Sequence, residues 1–357
     1  MQTNRNPHPT DLRSPRKRLS AKSVIGYLAM LVLTIALLYL SFRGVKWDEF
    51  ADGLSNCRWE WIALSMGFGV AGFAIRALRW KMLLLQLDKK ASFISAYQGV
   101  TIGNLANFAL PRVGEIVRCG VASKAKKSDI TIEGAIGTVI VERTWDLLCL
   151  VILSVLFVFF SWNKFGEFIK AQIFNTSRSA DGTSAVWLVV MLTAAVILAV
   201  AFIVSIYAYR KKIEKWKLGA KLLGFCRKLW DGITAAFRMK NKSAFFILTI
   251  LLWGSFLVTS VCTIKAFPAF AGLNWSDALF LMIAGSLGWA VPVQGGIGSY
   301  HFIVSLALVQ VYATTQSDGL VFATISHESQ AVVMILCGAV SLIHFLLKNR
   351  TLTKPTE

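Results

Sequence analysis

Five stretches of this chain, 24–42, 61–78, 186–209, 243–264 and 320–347, are apolar over a length that can cross a bilayer. Crossing takes roughly 20 such residues in a helix. A sixth stretch, 134–161, is as long but carries Glu142, Arg143 and Asp146. In hydrocarbon every backbone polar group needs a partner within the protein, so spans of this kind are helices. The expected fold is therefore an all-α polytopic membrane protein. Composition agrees: 55% of the 357 residues are hydrophobic and 16% are charged, which rules out an ordinary soluble domain.

The formal net charge is +19. Its distribution points to membrane orientation and not to nucleic acid, because the basic residues sit between apolar spans. Residues 1–23 hold six Lys/Arg against one Asp, which places a basic N-terminal tail in the cytoplasm. The run 24–42 ends in Ser41-Phe42-Arg43-Gly44 without a small-x-small cleavage site, so it reads as a retained helix. Loop 43–60 has three basic and four acidic residues and fits the outside. After 61–78 the chain returns to Arg79, Lys81, Lys89 and Lys90 inside.

Residues 92–123 decide the topology. If 92–110 crossed the membrane, loop 210–242 would lie outside, with eleven Lys/Arg against two acidic residues. A re-entrant hairpin over 92–123, dipping in from the cytoplasm and returning, removes that conflict. Its second arm, 112–123, is also too short to span. A second broken segment, 277–313, enters from outside, as a re-entrant hairpin or as two short crossings. The expectation is about six full spans plus two hairpins, or eight short spans. The core domain runs over 24–347, with 348–357 as a cytoplasmic tail. Trp47, Trp59, Trp61, Trp162, Trp187 and Trp275 fall at the outer boundaries, where the amphipathic indole ring is favoured.

Loop 210–242 repeats Leu222, Leu223, Cys226, Leu229, Trp230, Ile233 and Phe237 at helical spacing, with Lys and Arg on other faces. It is a basic amphipathic helix, either on the anionic inner leaflet or packed on the bundle. The six cysteines form no CxxC pair and no metal spacing, and read as small core residues.

The two broken segments resemble each other faintly. One reads Gly103-Asn104-Leu105, then Pro111-Arg112-Val113-Gly114. The other reads Gly285-Ser286-Leu287, then Pro292-Val293-Gln294-Gly295-Gly296-Ile297-Gly298. Gly and Pro break helices and free backbone groups, which membranes tolerate only against protein or a watery cavity. Paired segments of this kind in two halves of a chain point to a transport site near the midplane and to an inverted repeat. Two unrelated kinks are the plainer alternative.

Charges concentrate around the first segment. Asn104, Asn107, Arg112, Glu115 and Arg118 fall close together, and Glu115 shares a helix face with Arg112 and Arg118. Glu142 lies roughly 15 Å into its helix, counted from about 132, where an unpaired charge costs at least about 2.5–3.5 kcal/mol. Glu142, Arg143 and Asp146 therefore face partners or a cavity, as a substrate site or as a structural ion-pair network. Arg76 and Arg79 are either snorkelling anchors or a phosphate-binding pair. His301 and His327-Glu328 are polar core residues or a proton relay.

Three segments now stand out: Arg76-Ala77-Leu78-Arg79-Trp80, Asn107 through Arg118 with Pro-Arg-x-Gly-Glu-x-x-Arg, and Val141-Glu142-Arg143-Thr144-Trp145-Asp146. With the turn from Pro292 to Gly298 they resemble, in order and spacing, a flippase-like family related to the transmembrane region of lysylphosphatidylglycerol synthases. The resemblance covers about residues 24–347. It implies a helical membrane protein with re-entrant elements that moves or presents lipids, or lipid-linked intermediates, at the cytoplasmic membrane. One departure is His301, where such sequences often carry an acid. The soluble aminoacyl-transfer domain of the full synthases is not expected here.

The leading expectation is translocation of an anionic or lipid-linked molecule. Arg112, Arg118 and Arg79 would contact phosphate, with Arg76 and Asn107 beside them. Glu115, Glu142 and Asp146 would hold the arginines or couple protons. Pro111, Gly114, Pro292, Gly295, Gly296, Gly298 and His301 would shape the pathway. The alternatives are a membrane-embedded transferase and a scaffold for a partner enzyme. There is no Walker motif, metal cluster or nucleotide loop, so no cofactor or metal is expected.

Overall fold

The computed structural model describes residues 21–111, 113–125, 129–160, 230 and 232–350. The expected span 186–209, most of loop 210–242, Arg112, Trp162 and Trp187 lie outside the described residues. Within them the chain is helical throughout. Its helices are α1 (Ala21–Phe42), α2 (Trp47–Ser55), α3 (Trp59–Leu84), α4 (Phe93–Ala109), α5 (Gly114–Ser123) and α6 (Ile132–Phe160). They continue as α7 (Lys242–Ala266), α8 (Trp275–Ala290), α9 (Ser299–Tyr312) and α10 (Gln316–Arg350), with short 3-10 turns at Pro268–Phe270 and Gln294–Gly296. A further helical stretch covers 232–238.

Among the described residues, five helical segments are long and apolar enough to cross a membrane, and a sixth follows if the α1–α2 pair, bent by 87°, is one span. α6 and α10 begin a few residues earlier than hydropathy suggests, because threonines before the apolar runs cap them. Thr131 Oγ1 accepts from Gly134 N at 3.1 Å at the start of α6. Thr315 Oγ1 accepts from Asp318 N at 3.0 Å at the start of α10. Val32, Phe159, Ile250 and Val340 remain exposed on α1, α6, α7 and α10, as lipid-facing positions require.

The chain is a multi-pass membrane protein, and its two broken segments are helical hairpins. In the first, α4 and α5 have 17 and 10 residues, roughly 26 and 15 Å at 1.5 Å per residue. In the second, α8 and α9 have 16 and 14 residues, roughly 24 and 21 Å. Each arm taken alone falls short of a bilayer core of about 30 Å, but α9 with the turn before it, Gln294–Tyr312, is among the segments long and apolar enough to cross, so the second hairpin also fits a crossing. A reciprocal capping box starts the second hairpin at Trp275 instead of 277. Asn274 Oδ1 accepts from Ser276 N at 2.9 Å, and Asp277 Oδ2 accepts from Asn274 N at 2.8 Å. Asp277 also accepts from the Tyr312 hydroxyl at 3.0 Å, which ties the start of α8 to the end of α9.

Glycine lets the arms close. A Cβ on Gly103 would sit 2.7 Å from the Gly114 carbonyl oxygen, so the α4 and α5 backbones are in direct contact. A Cβ on Gly288 would sit 2.7 Å from Tyr300 Cα, so α8 meets α9 in the same way.

One side of the bundle gathers the ends of α1 and α7 with the starts of α3 and α10. Arg58 N donates to Ala266 O at 2.8 Å, and Gln316 Nε2 donates to Ser41 O at 3.0 Å. Trp47 and Trp59, which open α2 and α3, are exposed there. On the opposite side Asp88 accepts from the backbone N–H groups of Lys90 at 2.8 Å and Asp129 at 3.0 Å. These two bonds hold its carboxyl below the usual aspartate range and tie the α3–α4 connection to residue 129. Cys57, Cys119 and Cys262 are buried free thiols, consistent with core packing.

Candidate functional site

The charged residues converge on one cluster. Successive turns of α3 carry Arg76 and Arg79, the first turns of α5 carry Glu115 and Arg118, and α6 carries Glu142, Arg143 and Asp146. Glu142 is completely buried. One of its oxygens pairs with Arg118, and the other lies 3.3 Å from Arg79 Nη2. Asp146 takes Arg79 Nη2 at 2.6 Å and Arg143 Nη1 at 3.4 Å. Glu115 closes the ring with Arg143 Nη2 at 2.6 Å. Among the described residues, four guanidinium groups therefore face three carboxylates.

Packing sorts these arginines into two kinds. Arg79 and Arg118 are buried. Arg118 lies over the Trp80 ring at 3.9 Å, and the Trp80 indole N–H donates to Thr138 Oγ1 at 2.9 Å. This packing locks α5 against α3 and α6. Arg76 and Arg143 instead line a cavity. Arg76 approaches Glu142 and Asp146 only to 3.8 Å, beyond hydrogen-bond length. Its donors remain available to a ligand.

The cavity is about 690 Å³ and lies between the two hairpins, within the size range of ligand sites. The first hairpin contributes Asn104, Asn107, Phe108, Pro111 and Glu115 to its wall, and the second contributes Met282, Ser286, Trp289, Pro292, Gly295 and Gly296. Its charges gather at one end. Along α3 the lining runs from Arg76 back through Phe73 to Gly69, and along α6 from Arg143 on to Leu150. Each run is two helical turns, roughly 10 Å. The far end, around Gly69, is uncharged, with Thr259 and Gln330, while Phe256 lies against Arg76 at 5.9 Å.

The hairpin tips touch. Gly295, at φ +56°, packs so closely on Phe108 that a Cβ would come within 2.6 Å of the ring. Gly296 and Gly298 also have positive φ, +77° and +83°, a region that glycine enters without a Cβ penalty. Asn107 Oδ1 caps α5 by accepting from Gly114 N at 2.8 Å.

A second polar group sits behind the glycine turn. His327 is completely buried. Its Nε2 is 2.9 Å from the Gly295 carbonyl, and its Nδ1 is 3.0 Å from Glu328 Oε1. His301 Nε2 is 3.7 Å from the same carboxylate oxygen.

Sequence reasoning named the arginines but not their division of labour. It also missed Phe108, Trp289, Tyr300 and Gln330 in the wall. Gln330 had a legible signal, a lone amide in an apolar span. The aromatic residues had none, because aromatics are common in such spans.

Among known proteins, the family model for the lysylphosphatidylglycerol synthase transmembrane region matches residues 27–338. No curated protein and no solved structure matches the chain. The matched range contains the charged cluster, both hairpins and the cavity between them, and the chain belongs to the lysylphosphatidylglycerol synthase transmembrane region family.

Proposed function

We propose that this protein translocates a lipid, or a lipid-linked intermediate, with an anionic headgroup across the cytoplasmic membrane. The observation that carries the reading is Arg76. It lines a cavity between two broken hairpins, and its carboxylate contacts lie at 3.8 Å. A phosphate there would gain charge-assisted hydrogen bonds that the protein itself leaves unmade. Arg143, 42% exposed in its side chain, is the second contact. The apolar lining of the cavity, with Phe73, Leu147 and Leu150, suits the apolar part of a lipid. Arg79 and Arg118 act as positioning residues through Glu142 and Asp146. The basic segments 1–23 and 210–242 support an orientation with both termini in the cytoplasm, and on that orientation the charged end faces the inner leaflet.

Mass spectrometry of lipids that co-purify in a mild detergent tests the site. Wild-type protein is expected to enrich one anionic or polyprenyl-linked lipid over the bulk membrane, and Arg76→Ala to lose that enrichment. The same bulk profile from both folded proteins would overturn the headgroup site.

A further inference from the structure

The contacts of His327 do not balance with the ordinary number of protons. The Gly295 carbonyl, 2.9 Å from Nε2, can only accept a hydrogen bond. An ionised Glu328, 3.0 Å from Nδ1, can also only accept. A neutral imidazole carries one N–H, so one of the two contacts would set lone pair against lone pair. Both become hydrogen bonds when one further proton joins the pair.

We propose that His327 and Glu328 form a binding site for one proton, held as an imidazolium–carboxylate pair with Gly295 O as the second acceptor. The step balances simply. H⁺ adds to Nδ1, and the pair goes from a net charge of −1 to zero.

The surroundings fit this site. Trp289 stacks on the His327 ring at 4.8 Å, and Tyr300 lies against it at 5.3 Å. The Tyr300 hydroxyl is engaged with Ser326 Oγ at 2.8 Å. His301 packs at 4.9 Å and points Nε2 at the same Glu328 oxygen from 3.7 Å. An N–H there adds to the hold on the carboxylate. His327 is buried, whereas the Glu328 side chain is 54% exposed, so the pair is open on its carboxylate side.

The site also has a mechanical connection. Gly295 is the residue that rests on Phe108 of the first hairpin, and both line the cavity. Without the extra proton, His327 can satisfy Gly295 or Glu328 but not both. Proton occupancy therefore biases the turn that closes one hairpin on the other. Coupling to transport rests on the proposed function; the proton site itself does not.

The test is ¹⁵N NMR of the full chain in nanodiscs with only histidine labelled, over about pH 5–9, with the four histidines assigned by single His→Gln variants. The wild type is expected to show two protonated His327 ring nitrogens at a pH where Glu328→Gln shows one, on Nε2. The introduced amide can donate to a bare Nδ1 and needs no extra proton. A single protonated nitrogen in the wild type throughout would overturn the site, and the wild-type spectrum decides this even if the variant does not fold. A His327 signal that shifts on treatment with EDTA would place a metal ion there and overturn it equally. In proteoliposomes, wild-type flipping is expected to change at least about threefold between pH 6 and pH 8, and Glu328→Gln to change less than about 1.5-fold. Equal pH dependence in the two would overturn the coupling. No flipping by the wild type at any pH, alongside the expected NMR result, would sink the transport reading and keep the proton site.

Discussion

Gly295 and Phe108 are 187 positions apart in the chain, yet the ring of one rests on the bare Cα of the other, at the point where the two hairpins meet over the cavity. Gly295→Ala adds a Cβ 2.6 Å from that ring at φ +56°. The left-handed backbone costs about 1–2 kcal/mol, and the overpacking about 1–3 kcal/mol more. Adding Phe108→Ala should recover the packing share and leave the backbone share. A double-mutant cycle of thermal melts in detergent reads this, and strictly additive losses would contradict the contact.

Glu142 is the buried hub of the charged cluster, shared by Arg79 and Arg118. Glu142→Gln takes from Arg118 its one close counter-charge and leaves Arg79 with Asp146 alone, and breaking a buried pair in this way costs about 3–5 kcal/mol. Arg143→Gln, at the partly exposed edge, should cost about 1 kcal/mol or less. Unfolding titrations that rank the two in the opposite order would contradict the division into buried frame and cavity edge.

Asp88 lies outside the spans, and two backbone N–H groups hold its carboxyl below the usual range. A lowered value in the folded state means that its stabilisation is complete above the ordinary aspartate value, about pH 4. That stabilisation is lost as the pH falls through the lowered value. The melting-temperature gap between wild type and Asp88→Asn should therefore hold steady from pH 8 to pH 5 and shrink below about pH 4. A gap that widens on acidification would contradict the two bonds.

The hairpins were legible in the sequence because parity and length left little else. A strongly basic loop 210–242 argued against an outside position, and an arm of 112–123 was too short to span. The structure places α5 at Gly114–Ser123, on the expected second arm. The arginine roles were not legible. Arg76 and Arg79 stand three apart and share a helix face, so spacing predicts one role for both. Only the depth of α6 beside them separates a buried partner of Asp146 from a cavity wall. Arg112, the strongest single expectation for phosphate contact, lies outside the described residues, as do the span 186–209 and most of the amphipathic loop. The partner of His327 was also hidden, because Gly295 O is a backbone atom 32 residues away and carries no side-chain signal.

The most direct test of the account is the initial rate at which proteoliposomes move a fluorescent anionic phospholipid between leaflets, with wild type and Arg76→Ala at equal protein density. Arg76 has no contact at hydrogen-bond length to lose to Glu142 or Asp146, so the variant should melt within a few degrees of the wild type. Its rate should fall at least about tenfold, the loss of about 1.4 kcal/mol of headgroup interaction. Wild-type rates from a folded Arg76→Ala would contradict the claim that this arginine receives the headgroup.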